Sequence, residues 1–326
     1  MSSSSTDRLG IACGKVILLG EHAVVYGIPA IAVGINRGAR AGATPVDGSG
    51  PSRLHIRGWN VNVTEGDRDH DLGRAFHALL EISREQDPSI CRGSLLVEAE
   101  ADLPPGGGLG CSAAMGVAIA RALDPNATVE TIAERVMAWE RIFHGNPSGI
   151  DAAVASRGGC VLFEKGQPLE TVQVRGGLTL CIGNTGIASS TKAMVDAVAR
   201  YRWRRPQIVD KAFEGVRALV RNACLAIEDS DRFALGRLMD LNQMLLSGLF
   251  VSTQEIETMC QLARSNGAMG AKLTGAGGGG SVVALVNGMA GAEKVLEAWT
   301  REGFSGFATR VVGGAEPRAV AAGESR

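Results

Sequence analysis

Residues 103–114 read Leu-Pro-Pro-Gly-Gly-Gly-Leu-Gly-Cys-Ser-Ala-Ala, and they limit the fold more than any other stretch. Two prolines end whatever precedes them. Four of the five residues at 106–110 are glycine. Glycines leave backbone N–H groups unshielded and let a bulky anion approach closely. An apolar, helix-like run at 115–123 follows Cys111, Ser112, Ala113 and Ala114. A helix starting directly behind such a loop adds unpaired N–H donors and the positive end of its dipole. Together these make a phosphate cradle. A flexible surface turn has the same composition, so the reading needs context. Residues 94–99 supply some: they read as a strand feeding the glycines, giving the strand, turn, helix order that phosphate binding requires.

At 326 residues the chain has room for about two domains, and its 45% hydrophobic content suffices for a sizeable core. The formal net charge is −1, which gives no reason to expect a nucleic-acid or membrane partner. Seven cysteines are scattered without metal-ligand spacing, as expected of reduced thiols in a cytoplasmic protein. The serine-rich residues 1–6 lack an apolar signal core, and no apolar run of membrane-spanning length follows. The serine head and the polar tail after 314 are expected to fray.

Along the chain, 9–13 and 16–19 read as strand, Gly20-Glu21-His22 interrupts, and 23–26 reads as strand again. Lys15, Glu21 and His22 are polar residues set in apolar sequence. Singly each reads as a satisfied structural residue; as a trio beside a phosphate loop they point to a site. Further strands are expected at 30–35, 54–56 and 61–63, and a helix at 72–83. A second helix at 127–143 puts Val129, Ile132, Ala133, Val136 and Phe143 on one face, with Glu140 on the same stripe. A carboxylate there is costly unless a cation or donor meets it; a buried ion pair or an edge position are the alternatives. Residues 144–151 are dense turn chemistry ending in Asp151, which in isolation reads as a helix cap. Strands at 160–164 and 178–184 precede a hydroxyl-rich turn, Ser189-Ser190-Thr191, and a helix at 192–199. The arginines at 200–205 read as a solvated helix end. Two long helices follow at about 207–229 and 232–247, and Ser252 with Glu255 forms a capping-box pattern. A second glycine loop, residues 272–280, precedes a strand at 281–286. Strand-rich sequence gives way to helices near 185, which divides the chain into 1–185 and 186–326.

Three segments in order resemble the superfamily of galactokinase, homoserine kinase, mevalonate kinase and phosphomevalonate kinase: residues 14–27, 104–114 and 272–280. Within it, Gly-Glu-His-Ala-Val-Val, His144 to Asp151, the eleven-residue step from Glu140 to Asp151, and Lys-Leu-Thr-Gly-Ala-Gly-Gly-Gly-Gly resemble the mevalonate kinase family. Cys111 departs from the family's common serine, Leu19 from an often polar residue, and the chain is shorter than the animal enzymes. The resemblance implies an α+β, two-domain small-molecule kinase fold. Its N-terminal ATP-binding domain is an S5-like α/β unit, and its C-terminal domain is a ferredoxin-like α+β unit.

It also implies ATP-dependent phosphorylation of (R)-mevalonate at the C5 hydroxyl, with Mg²⁺, in isoprenoid biosynthesis. Asp151 is then the proton acceptor, with Lys15 beside it neutralising charge. Glu21, His22 and Thr191 contact the substrate. Pro105, Gly106, Gly107, Gly108, Leu109, Gly110, Cys111, Ser112 and Ala113 hold ATP. Ser112 and Glu140 ligate the metal, and Gly275, Ala276, Gly277 and Gly278 lie near the active site. Phosphoryl transfer is mainly positioning and charge neutralisation, which fits these residue types. ATP and mevalonate are the expected partners and a cytoplasmic homodimer the expected state. A kinase of another small alcohol or of phosphomevalonate, and a non-catalytic ligand sensor, are the alternatives.

Overall fold

The computed structural model of the chain describes residues 8–46, 48–90, 93–103, 106–145 and 147–312. Expectations on 1–6, Pro104, Pro105, Asn146 and the tail after 314 lie outside the described residues.

The first half is built on two long strands, β1 (Arg8–Leu19) and β2 (Ala30–Val46), paired antiparallel. Alternating burial fits a strand with one face inside, but the middle of β1 is buried on both faces, because helices cover it. The register of β1 slips between Cys13 and Lys15 and again between Ile17 and Leu19. Such bulges re-aim side chains, and Lys15 sits at the first one. The segment expected to resume as strand at 23–26 is instead a single 3-10 turn, Ala23–Tyr26. Gly20 (φ 110°) and His22 (φ 60°) turn the chain out of extended geometry, and Val24 follows the turn despite its strand preference.

The other edge of β2 pairs with β5 (Ser94–Ala101) along its C-terminal part and with β6 (Cys160–Phe163) along its N-terminal part. Outward from β5 lie β3 (Arg53–Ile56), the one parallel neighbour, and β4 (Val61–Thr64); outward from β6 lies the two-residue β7 (Glu170–Thr171). Helices α1 (Asp71–Gln86), α2 (Cys111–Leu123), α3 (Val129–His144) and α4 (Ile150–Arg157) complete this half. Helix α2 lies so close to β1 that a Cβ on Gly10 would stand 2.0 Å from the Ala118 carbonyl oxygen.

The second sheet is antiparallel, in the order β11 (Ser305–Val311), β8 (Leu178–Asn184), β10 (Ser281–Val286), β9 (Gly270–Thr274). Its strand β8 precedes position 185, so the change of sheet falls between β7 and β8, a whole strand ahead of the expected division. Helices α7 (Arg232–Gly248), α8 (Gln254–Ser265) and α9 (Gly288–Arg301) pack on it, while α5 (Thr191–Arg204) packs on α6 (Pro206–Glu228), which lies against α7, β1 and β2. Thr253, not Ser252, caps α8, its side chain accepting from the Ile256 N–H; the Ser252 hydroxyl is taken up by Gln243 Nε2 at 3.0 Å. Trp299 packs over Gly183 in the centre, its indole N–H donating to the Met259 carbonyl. Buried side chains of both halves form one continuous cluster.

Candidate active site

The glycine loop ahead of α2 holds Gly106, Gly108 and Gly110 at φ 72–74°, a region closed to most side chains. Gly110 begins α2 with no side-chain cap. The N–H groups of the first turn therefore face a cavity of about 330 Å³ whose wall includes Gly106, Gly107, Gly108, Gly110, Ser112 and Ala113. Leu109 contributes its backbone, since its side chain is buried and its carbonyl accepts from the Lys15 N–H at 2.9 Å. Cys111 turns its thiol to the Leu103 carbonyl, and burial pushes that thiol up to about 12. It behaves as a small apolar residue rather than a nucleophile.

Ser112, one residue into α2, donates from its hydroxyl to Glu140 Oε1 at 2.6 Å. Trp139, fully buried, fixes Ser112 from beneath by donating to its carbonyl at 3.0 Å. Burial pushes the Glu140 carboxyl up to about 7, and the Asp151 charge adds to the push. His144, one helical turn on, brings Nε2 to 3.5 Å from the other oxygen; burial lowers its pKa. A buried carboxylate beside a hydroxyl, with a second carboxylate across the cavity, is an all-oxygen donor set that suits Mg²⁺ sharing phosphate oxygens. Among the described residues, no three acidic, histidine or cysteine side chains are grouped so as to hold a metal ion by themselves.

Asp151 lies in the first turn of α4, and Gly149 (φ 92°) rather than Asp151 is its cap. Its carboxylate is 3.0 Å from the Lys15 ammonium and keeps 30% of its side chain exposed. Lys15, redirected by the β1 bulge, is almost wholly buried and leaves the ammonium facing Asp151. Across the cavity, His22 Nε2 is 2.8 Å from the Ala276 carbonyl oxygen. Thr191 opens α5 on the cavity wall, with Ser190 as its cap. Gly275 and Ala276 reach the cavity, while Gly277 and Gly278 pack behind it: the Gly278 N–H donates to Val251, and Gly277 abuts the same carbonyl.

Glu21 lines the cavity, but both its carboxylate oxygens are engaged, one by the Lys272 ammonium and one by Asn242 Nδ2 at 3.1 Å. Burial raises the Glu21 carboxyl and lowers Lys272, and each supplies the other's principal compensation. Sequence reasoning missed Lys272, Asn242, Trp139 and Lys192. Lys192 lines the cavity with no ion pair or hydrogen bond among the described residues. Its signal was legible: a lysine in the first turn of a helix opposes the dipole and invites another explanation.

Residues 73–159 match the model of the GHMP kinases N terminal domain, and residues 223–305 match that of the GHMP kinases C terminal. Mevalonate kinase of Thermococcus gammatolerans is 35% identical over 303 residues, spanning 85% of this chain and 88% of that one. The chain belongs to the mevalonate kinase family. Mevalonate kinase of Methanothermobacter thermautotrophicus is 36% identical, with 84% and 88% spanned. Among solved structures, L. major mevalonate kinase in complex with R-mevalonate superposes with a TM-score of 0.81 at 27% identity, covering 97% of this chain and 100% of that one. Lactococcus lactis galactokinase superposes at 0.77 with 16% identity, covering 97% of this chain and 96% of that one, a likeness of fold.

Proposed function

We propose that this chain transfers the γ-phosphoryl group of ATP to the C5 hydroxyl of (R)-mevalonate, giving 5-phosphomevalonate and ADP in isoprenoid biosynthesis. The observation that carries the reading is the Lys15–Asp151 pair, 3.0 Å apart, on the same cavity as the phosphate loop and the Ser112–Glu140 contact.

The loop glycines and the first turn of α2 cradle the phosphates. Ser112 and Glu140 would hold Mg²⁺, which when bound neutralises phosphate charge and orients the terminal group. Asp151 accepts the hydroxyl proton; a weak base suffices where the transition state is loose and the proton leaves late. Lys15 holds that carboxylate in place and offsets negative charge on the transferring group. His22 and Thr191 contact the alcohol, and Lys192 pairs with its carboxylate.

We further propose that the protein works in the cytoplasm as a homodimer. Free, mostly buried cysteines among the described residues suit a reducing compartment, and no described helix is long and apolar enough to cross a membrane. Light scattering tests the assembly. The activity is tested by ADP release with mevalonate, homoserine, galactose and phosphomevalonate side by side. Turnover on mevalonate, lost in Asp151→Asn, is expected; preference for another alcohol would replace the substrate assignment.

A further inference from the structure

The end of β1 is sewn to β9 by buried polar contacts from residues far apart in sequence. The Ile17 N–H donates to Thr274 Oγ1 at 2.9 Å. The Lys272 ammonium reaches the Ile17 and Leu273 carbonyls and Glu21. Both members of the Glu21–Lys272 pair are buried, and neither Lys272 nor Asn242 lines the cavity. Asn242 presents its amide N–H to Glu21 and leaves its own Oδ1 without a partner. The opposite orientation would set oxygen against oxygen, so the carboxylate dictates the arrangement. A core needing only volume at this point would be better filled by apolar side chains.

The residue after Glu21 is His22, a non-glycine held at φ 60°. Such a conformation persists where its surroundings over-determine it. Here the surroundings are the Ala276 carbonyl on the ring and the anchored Glu21 on the backbone. Ala276 and the partners that anchor Glu21, Lys272 and Asn242, all come from the second half of the chain.

We propose that Glu21, Lys272 and Asn242 form a buried positioning device that sets the His22 turn, and that Glu21 acts on the alcohol through His22 rather than by touching it. This rests on the acceptor pocket assigned above. Lys272 and Asn242 are positioning residues, because any effect they have on the alcohol must pass through Glu21.

The test uses the full chain and the variants Glu21→Gln, Lys272→Met, Asn242→Ala and the double variant Glu21→Gln/Asn242→Ala. Kinetics are measured with mevalonate and ATP varied separately, alongside melting temperatures. Asn242→Ala removes one neutral donor and keeps the test alive if Lys272→Met does not fold. Each folded single variant is expected to lower kcat/KM for mevalonate about tenfold, with KM for ATP within about twofold of wild type. The double variant is expected to be no worse than its weaker parent, because the residues act as one unit. Multiplying losses would overturn the proposal, as would a loss in Glu21→Gln with wild-type mevalonate kinetics in folded Asn242→Ala. Either result would put Glu21 on the substrate itself. A second readout needs no substrate: the His22 ring resonances of the ligand-free protein, assigned with His22→Gln, are expected to shift in Asn242→Ala. Unmoved resonances refute the device. Wild-type protein that ignores mevalonate while these resonances shift would refute the substrate reading alone.

Discussion

Replacing Gly110 by alanine perturbs the site by a calculable amount. Gly110 sits at φ 72°, where a residue with a Cβ costs roughly 1–2 kcal/mol. The new Cβ would stand 2.8 Å from Lys15 Cγ and 3.4 Å from Cε. Ordinary carbon contacts lie at about 3.5–4.0 Å, so the lysine stem must retreat by roughly 0.7 Å or more. Its backbone cannot follow freely, because the Lys15 N–H is tied to the Leu109 carbonyl at 2.9 Å. The ammonium therefore shifts against Asp151. A misplacement near 1 Å at a reacting centre costs on the order of 10²-fold, so kcat should fall between about 10- and 100-fold. Gly166→Ala is the control: its φ is 83°, it lies in an exposed turn, and no atom stands within 4 Å of a Cβ there. Both variants should lose stability in urea unfolding, Gly110→Ala the more because of its clash with Lys15, and only Gly110→Ala should lose turnover at saturating substrates. Equal rates in the two variants would show that the Lys15 position does not govern the reaction.

Asp151→Asn keeps the shape of the site and removes the proposed proton acceptor; it should bind ATP by calorimetry and lose about 10²–10⁴-fold in kcat. Glu140 is pushed from 4.5 up to about 7, so its ionised form is disfavoured in the native state and stability is lost as pH rises through this window. The cost above pH 7 is of the order of 3 kcal/mol at about 1.4 kcal/mol per pH unit. Metal-free Glu140→Gln should therefore be more stable than wild type at pH 8 and equal near pH 4.5, while needing more Mg²⁺ for activity. A uniform loss at both pH values would contradict this. Lys192→Gln should raise KM for mevalonate about tenfold and leave KM for ATP unchanged; initial-rate kinetics decide it. Cys111, with its thiol held up at about 12, should resist alkylation in the folded protein at pH 8.

The parts of the site that were legible in sequence are those where the chain needs unusual local chemistry. Glycines must occupy the left-handed positions at 106, 108 and 110, and Glu140 stands out on an apolar stripe. What escaped was set by distant partners. Lys272 reads as one more residue before a glycine loop, because its partner lies 251 positions away. Trp139 fits the spacing of Ile132, Val136 and Phe143, but its function is the hydrogen bond to Ser112, which periodicity does not reveal. The turn at Ala23–Tyr26 defied its β-branched composition because His22 bends the backbone just before it. At α8 two hydroxyls compete for one cap, and a glutamine from α7 decides between them.

The glycine loop ahead of α2 is gripped by the far half of the chain. The Ser281 hydroxyl donates to the Gly107 carbonyl at 2.6 Å, and Gly275 lies against Gly108. A gene fragment ending near residue 175 would encode every loop glycine and none of these braces. Grafting the segment onto a foreign scaffold would move its letters without its geometry. The proposed nucleotide capture is thus a property of the joined polypeptide, and split or transplanted versions must bring β9 and β10 along to work.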